Sequence, residues 1–384
     1  MLSRSTRKVQ PNPDKQTAIK LATPQKNMVR PISIKGALAL IAGCSAALLL
    51  SACFAALGLT GRPQDPTDRP YKIETVQFAG GPGVTLAGEL TMPESKGPHK
   101  ALVLISGSGP QDRDEALADH RHFLVLSDHL TRAGYAVLRF DDRGFGESTG
   151  NFETATLTDF ANDTAGAFRF LASQPEIDPA GIGFFGHSEG GYIAPAAARL
   201  VDPAFMIFAA GPARSFSDVL ATQTADTLRA EGQSDEVIKK AVSDYLEGNK
   251  IIAQQKPIKE IHRELSAFML SIGLPKNELE DILKSFAGPW GLEYATHKPE
   301  INLRAFDGPV LALFGDKDLQ VSAKEEAPVM RKLLSNARSQ VHVFAGLNHL
   351  FQPTETGLPS EYEEIEITFA EEVLDHITKW LDTL

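Results

Sequence analysis

Cysteine is almost missing from the 384 residues: there are two, Cys44 and Cys53, both inside one apolar run. That excludes a disulfide framework and a four-cysteine metal site. There is no dinucleotide-binding fingerprint, no G-K-[ST] phosphate loop and no His/Cys cluster, so the sequence implies no cofactor and no metal. No internal repeat is apparent. Positive charge is scarce over most of the chain. Up to Cys53 there are eight Lys/Arg against one acid, Asp14; the remainder carries 30 bases against 48 acids, a net charge of −18. A body that acidic repels phosphate backbones, so nucleic acid is not an expected partner. With 42% hydrophobic and 23% charged residues, neither global disorder nor a collagen-like structure is expected.

Charge is also missing locally. Between Lys35 and Arg62 there is none, and Gly36 to Gly61 reads GALALIAGCSAALLLSACFAALGLTG. The run follows a basic segment and is long enough to span a bilayer. Two readings stand side by side. One is a bacterial lipoprotein signal, with Leu50-Ser51-Ala52-Cys53 as lipobox and Met28 as a possible start. The other is an uncleaved helix with its basic side in the cytoplasm. Either attaches the protein to a membrane and places the body on the non-cytoplasmic side. On this reading residues 1–61 form the anchor, 62–70 a Pro-rich tether and 71–384 the catalytic domain.

The body reads as α/β. Tyr71 to Phe78 and Val84 to Thr91 alternate like a hairpin around Gly80-Gly81-Pro82-Gly83. Short continuous apolar runs follow: Ala101 to Ile105, Tyr135 to Phe140, Ile182 to Phe185, Phe205 to Ala209, Val310 to Phe314 and Val341 to Phe344. Such runs suit parallel strands covered on both faces. Helical spacing begins behind Thr156-Leu157-Thr158-Asp159, a capping-box pattern, and a C-terminal helix is expected over Tyr362 to Leu381. The segment between Ala210 and Val310 is about 100 residues long, far beyond an ordinary crossover. Its charged, helical pattern, as in Ser234 to Leu246 and Lys276 to Phe286, suggests a helical cap inserted over residues 211–305.

The chemistry is expected where strands end. Gly186-His187-Ser188-Glu189-Gly190 is a G-x-S-x-G pattern between an apolar strand and a helix-like segment. The glycines are needed because side chains on either side of such a tight turn would collide. Ser188 is then a nucleophile that requires a base and an orienting acid. His349, in Gly346-Leu347-Asn348-His349 just after a strand, is the expected base. His342, inside a strand, is expected to pack or lie at an edge, His376, on the last helix, to lie at the surface or pack, and His187 to point away from the Ser188 hydroxyl. Gly315-Asp316-Lys317-Asp318 offers two acids; Asp318 is favoured, with Asp316 as a turn cap. An oxyanion hole needs two backbone N–H groups: that of Glu189, and one from Ser106-Gly107-Ser108-Gly109-Pro110, with Ser108 first and Gly107 second. Asp141-Asp142-Arg143 and Gln111-Asp112-Arg113-Asp114 are expected to form ion pairs that hold loops near the site. Trp290, in Gly288-Pro289-Trp290-Gly291, reads as a loop residue that walls the substrate pocket.

These motifs give the chain a resemblance. LISGSGPQDRDE (104–115), LRFDDRGFGES (138–148), GFFGHSEGG (183–191), LALFGDKDLQV (311–321) and FAGLNHLFQP (344–353) together resemble the α/β-hydrolase superfamily, and within it the bacterial serine esterases related to the serine aminopeptidase-like group. The resemblance covers 71–384. Many relatives carry His-Gly where this chain has Ser106-Gly107. It implies an α/β-hydrolase fold with a mostly parallel sheet, and a serine esterase acting on a small-molecule ester. A peptidase acting on small peptides or aminoacyl amides is the alternative in the same fold. A non-catalytic binding protein is the alternative outside enzymes.

Overall fold

The central apolar runs become strands of one sheet buried on both faces, while the last, Val341 to Phe344, forms an edge strand on which His342 is exposed. Leu102, Phe184, Phe208 and Phe314 are fully buried, and each such side chain contributes about 1.5–3 kcal/mol relative to exposure. The computed structural model describes residues 62–384. The anchor and the N-terminal basic segment expected over 1–61 lie outside the described residues.

The main sheet has eight strands, in chain order β1 (Lys72–Ala79), β2 (Thr85–Met92), β3 (His99–Ile105), β4 (Ala136–Phe140), β5 (Ile177–His187), β6 (Met206–Ala209), β7 (Val310–Gly315) and β8 (Gln340–Phe344). Their order across the sheet is β1-β2-β4-β3-β5-β6-β7-β8. The pairs β1–β2 and β2–β4 are antiparallel; from β4 to β8 every pair is parallel. All the parallel strands therefore end on one edge. Helices α1 (His122–Arg132), α2 (Leu157–Ala172) and α3 (Gly190–Ala197) connect the early strands. The expected capping box opens α2: Thr156 accepts from the Asp159 N–H, and the Asp159 carboxylate accepts from the Thr156 N–H.

Between β6 and β7 the chain passes through six helices: α4 (Phe216–Ala230), α5 (Asp235–Ile252), α6 (Ile258–Ser271), α7 (Lys276–Phe286), α8 (Pro289–Tyr294) and α9 (Pro299–Arg304). Ile252, Ile261, Leu265, Met269 and Ile282 form a cluster of their own, whereas Tyr294 and Leu303 join the core of the sheet. The chain closes with α10 (Ala323–Leu333) and α11 (Glu371–Leu381). Among the described residues no helix is long and apolar enough to cross a membrane.

Two expectations need correction. The C-terminal helix starts at Glu371, not Tyr362, because residues 362–370 are used as a docking strip. The second correction concerns 62–70, which is not a free tether along its length. Gln64 accepts from the N–H groups of Thr368 and Phe369 and donates to the Phe369 carbonyl, Arg62 donates to the carbonyls of Ala118, Glu363 and Ile365, and Asp65 pairs with Arg121. One amide and one guanidinium satisfy six backbone groups, five of them in the strip, and hold its turns and bends against the body.

Candidate active site

Strand β5 runs to His187, and the chain turns at Ser188 with φ +49 before α3 begins at Gly190. A left-handed non-glycine residue costs on the order of 1–3 kcal/mol and survives only where its surroundings enforce it. Here they do. The Ser188 N–H donates to the Ala209 carbonyl at 2.9 Å, and the Gly191 N–H donates to the Ser188 carbonyl at 2.9 Å. A Cβ on Gly186 would lie 2.4 Å from the Gly190 carbonyl oxygen, and one on Gly190 would lie 2.5 Å from that of Ile105. The collision inferred from the motif is thus visible on both sides of Ser188.

Asp318 and His349 come from the loops after β7 and β8. The Asp318 carboxylate lies 2.8 Å from His349 Nδ1 through Oδ2, while Oδ1 accepts from the N–H groups of Gln320 and Val321 at 2.7 and 2.9 Å. Both side chains are buried. A carboxylate on Nδ1 fixes the tautomer with the proton there and leaves Nε2 as the basic nitrogen. The loop carrying His349 is braced by Asn348, whose Oδ1 accepts from the N–H groups of Leu350 and Gln352, both at 2.9 Å. Asp316 is exposed and accepts from the Gly346 N–H at 2.6 Å. It pins the two loops together and does not meet His349.

The loop after β3 lies over the serine. A Cβ on Gly107 would sit 3.3 Å from Ser188 Cβ. The Gly107 N–H is already engaged, donating to Glu115 Oε1 at 2.7 Å. That favours Ser108 over Gly107 as the second oxyanion donor. Asp142 braces this loop at both ends, accepting from Ser106 Oγ and from the Gln111 N–H, each at 2.9 Å. Burial pushes the Asp142 carboxyl well above the usual range, against the pull of those two hydrogen bonds. The expected ion pairs form around it rather than with it. Arg113 pairs with Asp141 at 2.7 Å and Arg143 with Asp163 at 2.6 Å. Among the described residues no three His, Cys, Asp or Glu side chains converge as a metal site.

Glu189 contributes more than its backbone. Its carboxylate is buried and accepts from Trp290 Nε1 at 2.7 Å and from the Tyr294 hydroxyl at 2.6 Å, and it also hydrogen-bonds the Ser108 side chain. Burial raises its pKa, and those three donors oppose the rise. Trp290 lies in the short helix α8, not in a loop: Gly288 and then Pro289 at the first helical position start a turn of helix. Its ring meets Phe216, Tyr294 and Phe286 at centroid distances of 4.9, 4.8 and 6.5 Å. Phe216 and Phe286 also line an apolar cavity with Ile252, Leu265, Met269 and Ile282.

The other three histidines weighed in the sequence fall into two groups. His342 and His376 lie against each other, ring centroids 4.5 Å apart. His187 turns to Glu115 Oε1 (Nδ1, 2.8 Å) and to the His349 carbonyl (Nε2, 3.2 Å), which ties the turn holding Ser188 to the loop holding His349. Glu115 and Tyr294 were not singled out in the sequence. Glu115 had no local signal, since its partner lies 72 residues away. Tyr294 follows Trp290 by four residues on a helix whose start signal, Gly-Pro, was open to reading.

A family model described as serine aminopeptidase, S33, matches residues 118–260. That stretch holds Ser188 and Glu189 and ends before Asp318 and His349. The esterase EstD of Thermotoga maritima is 25% identical over 297 residues, covering 77% of this chain. The polyketide transferase claH of Penicillium crustosum is 33% identical over 147 residues, covering 38% of this chain. The chain spans 65% of the length of the first and 46% of the second. Among solved structures, the hypothetical protein PA2218 from Pseudomonas aeruginosa aligns with a TM-score of 0.50 at 16% identity, over 85% of this chain and 98% of its own, a likeness of fold.

Proposed function

We propose that this chain, which belongs to the α/β-hydrolase superfamily, hydrolyses carboxylic esters through an acyl-enzyme on Ser188. The observation that carries the reading is the 2.8 Å contact between His349 Nδ1 and Asp318 Oδ2, formed at the strand-end edge where Ser188 sits in its strained turn. Ser188 Oγ attacks the ester carbonyl while His349 Nε2 takes its proton, and Asp318 stabilises the imidazolium that forms. The negative oxygen is bound by the N–H groups of Glu189 and Ser108, each worth on the order of 10²–10³ in rate. His349 then protonates the departing alkoxide. Water, deprotonated by His349, attacks the acyl carbon and releases the acid and Ser188.

The matching family description names an aminopeptidase, and that reading requires a carboxylate free to hold an α-amine. Glu189, the carboxyl next to Ser188 in sequence, is spent on Trp290, Tyr294 and Ser108, which speaks for the ester. A fluorophosphonate should label the peptide containing Ser188 once, and a panel of acyl esters and aminoacyl amides should turn over mainly as esters. Labelling with amide turnover alone selects the peptidase; no labelling selects the binding protein.

From the charge-free run Gly36 to Gly61 we infer a membrane anchor that would leave the body on the non-cytoplasmic side. Incorporation of labelled fatty acid that is lost in Cys53→Ala supports a lipidated anchor. A full-length membrane protein with no label supports an uncleaved helix.

A further inference from the structure

His187 is enclosed by acceptors. Nδ1 lies 2.8 Å from Glu115 Oε1 and Nε2 lies 3.2 Å from the His349 carbonyl oxygen. A neutral imidazole has one N–H and one lone pair, so it can serve only one of two acceptors and must turn its lone pair against the other. Glu115 Oε1 is committed as an acceptor, because it also takes the Gly107 N–H at 2.7 Å. The geometry points to a resident ion pair, an imidazolium on His187 and a carboxylate on Glu115, that positions the oxyanion loop and the His349 loop about Ser188. This rests on the esterase reading above. Both are positioning residues: one carboxylate oxygen holds Gly107, the residue before the proposed oxyanion donor Ser108, and one ring holds the backbone of the proposed base.

The surroundings suit a cation there. Glu115 faces it from the loop after β3, Asp318 and His349 from the loops after β7 and β8, and His122 from α1. Burial works against a charged ring, but the Glu115 carboxylate, the His349 carbonyl and Asp318 outweigh it and raise the pKa of His187 above the ordinary value. His122 does not compete, since its own burial drives its pKa well down and keeps it neutral. Glu115 itself adopts φ +48. Backbone strain of this kind persists where side-chain contacts over-determine it, and the two bonds to Glu115 Oε1 are such contacts.

The protein labelled with ¹⁵N in histidine tests this by NMR at about pH 8, where an ordinary imidazole is neutral. One ring, absent from His187→Gln, should carry protons on both nitrogens. Glu115→Gln, which keeps the shape and loses the charge, should leave His187 with one ring proton. It should also lower kcat ~10- to 100-fold with KM little changed, the scale expected for a displaced reacting group. Glu115→Asp should recover part of both. A singly protonated His187 in the wild type overturns the proposal. So does a Glu115→Gln protein that has lost the ring proton yet keeps wild-type kcat. Fluorophosphonate labelling of the wild type reports on the other reading. A labelled protein with a neutral His187 sinks the ion pair and spares the esterase. A doubly protonated His187 without labelling does the reverse.

Discussion

The indole N–H of Trp290 donates to Glu189 Oε1 at 2.7 Å, so a helix of the insertion grips the residue that follows Ser188. The same ring lies edge-on to Phe216, which lines the apolar cavity in the insertion. Trp290→Ala should shift the acyl-length preference toward longer chains, since each methylene gained or lost in such a pocket is worth about 1–3 kcal/mol. Trp290→Phe keeps most of the ring, loses the donor and should move the profile less. Reactivity toward a small fluorophosphonate should be largely unchanged in both. An unaltered chain-length profile in Trp290→Ala removes the residue from the pocket wall.

Ser188→Ala and His349→Ala should each lose ~10³-fold or more in turnover while staying folded. The two acids after β7 should separate. Asp318→Asn strips His349 of its orienting partner and should cripple turnover. Asp316→Asn touches only the Gly346 N–H and should cost stability more than rate. Steady-state kinetics beside thermal melts read both, and the reverse ranking would reassign the acid.

A methyl group at Gly186 would run into the Gly190 carbonyl at 2.4 Å, backbone against backbone. Gly186→Ala should destabilise by about 1–3 kcal/mol or more, as overpacking does, and should dislodge Ser188. Gly248→Ala is the contrast: inside α5, the tightest contact of its new methyl is the flexible end of Met269, at 3.1 Å, with Leu265 and Phe268 at 3.6 Å. Helix propensity offsets that contact, and the variant should stay within about 1 kcal/mol of wild type. Urea titrations of the two proteins provide the comparison.

Acid stability should pass through Asp141. Burial alone would raise its pKa, but hydrogen bonds from the Arg113 side chain, the Glu147 N–H and the Arg113 N–H bring it below the ordinary value. A carboxyl with a folded pKa below its unfolded value, near ~3.9, gives stability that is present above about pH 4 and lost as the pH falls through the folded pKa. Asp141→Asn should therefore be less stable at neutral pH and lose less on acidification. Unfolding midpoints measured between about pH 7 and pH 3 should converge for the two proteins; parallel curves would place the acid sensitivity elsewhere.

The central strands were legible because burial on both faces writes them as unbroken apolar runs, and G-x-S-x-G because its steric demand is local. Strand β5 is longer than its apolar run: Asp178-Pro179-Ala180-Gly181 interrupts the pattern, yet Ile177 still pairs with His99. Helix α1 was not anticipated. Its N-cap residue, Arg121, makes no side-chain cap, and Phe123-Leu124-Val125-Leu126 is an unbroken apolar run without helical periodicity. Residues 362–370 carry no mark of their docking on Gln64 and Arg62, which lie about 300 positions earlier. The choice between Asp316 and Asp318 depended on which of two adjacent turns faces His349, a matter of backbone direction that residue identity does not encode.

The apolar residues of α5 to α7 pack among themselves, while the sheet keeps its own core. Free-energy changes from substitutions at sites that share no partner add, within a few tenths of a kcal/mol. Ile261 or Leu265 can then vary without altering what Phe184 or Phe314 experiences. Drift at insertion positions away from the Phe286–Trp290 contact is then nearly uncoupled from the frame that holds Ser188 and His349, so this lineage can sample new linings there at a stability cost confined to the insertion.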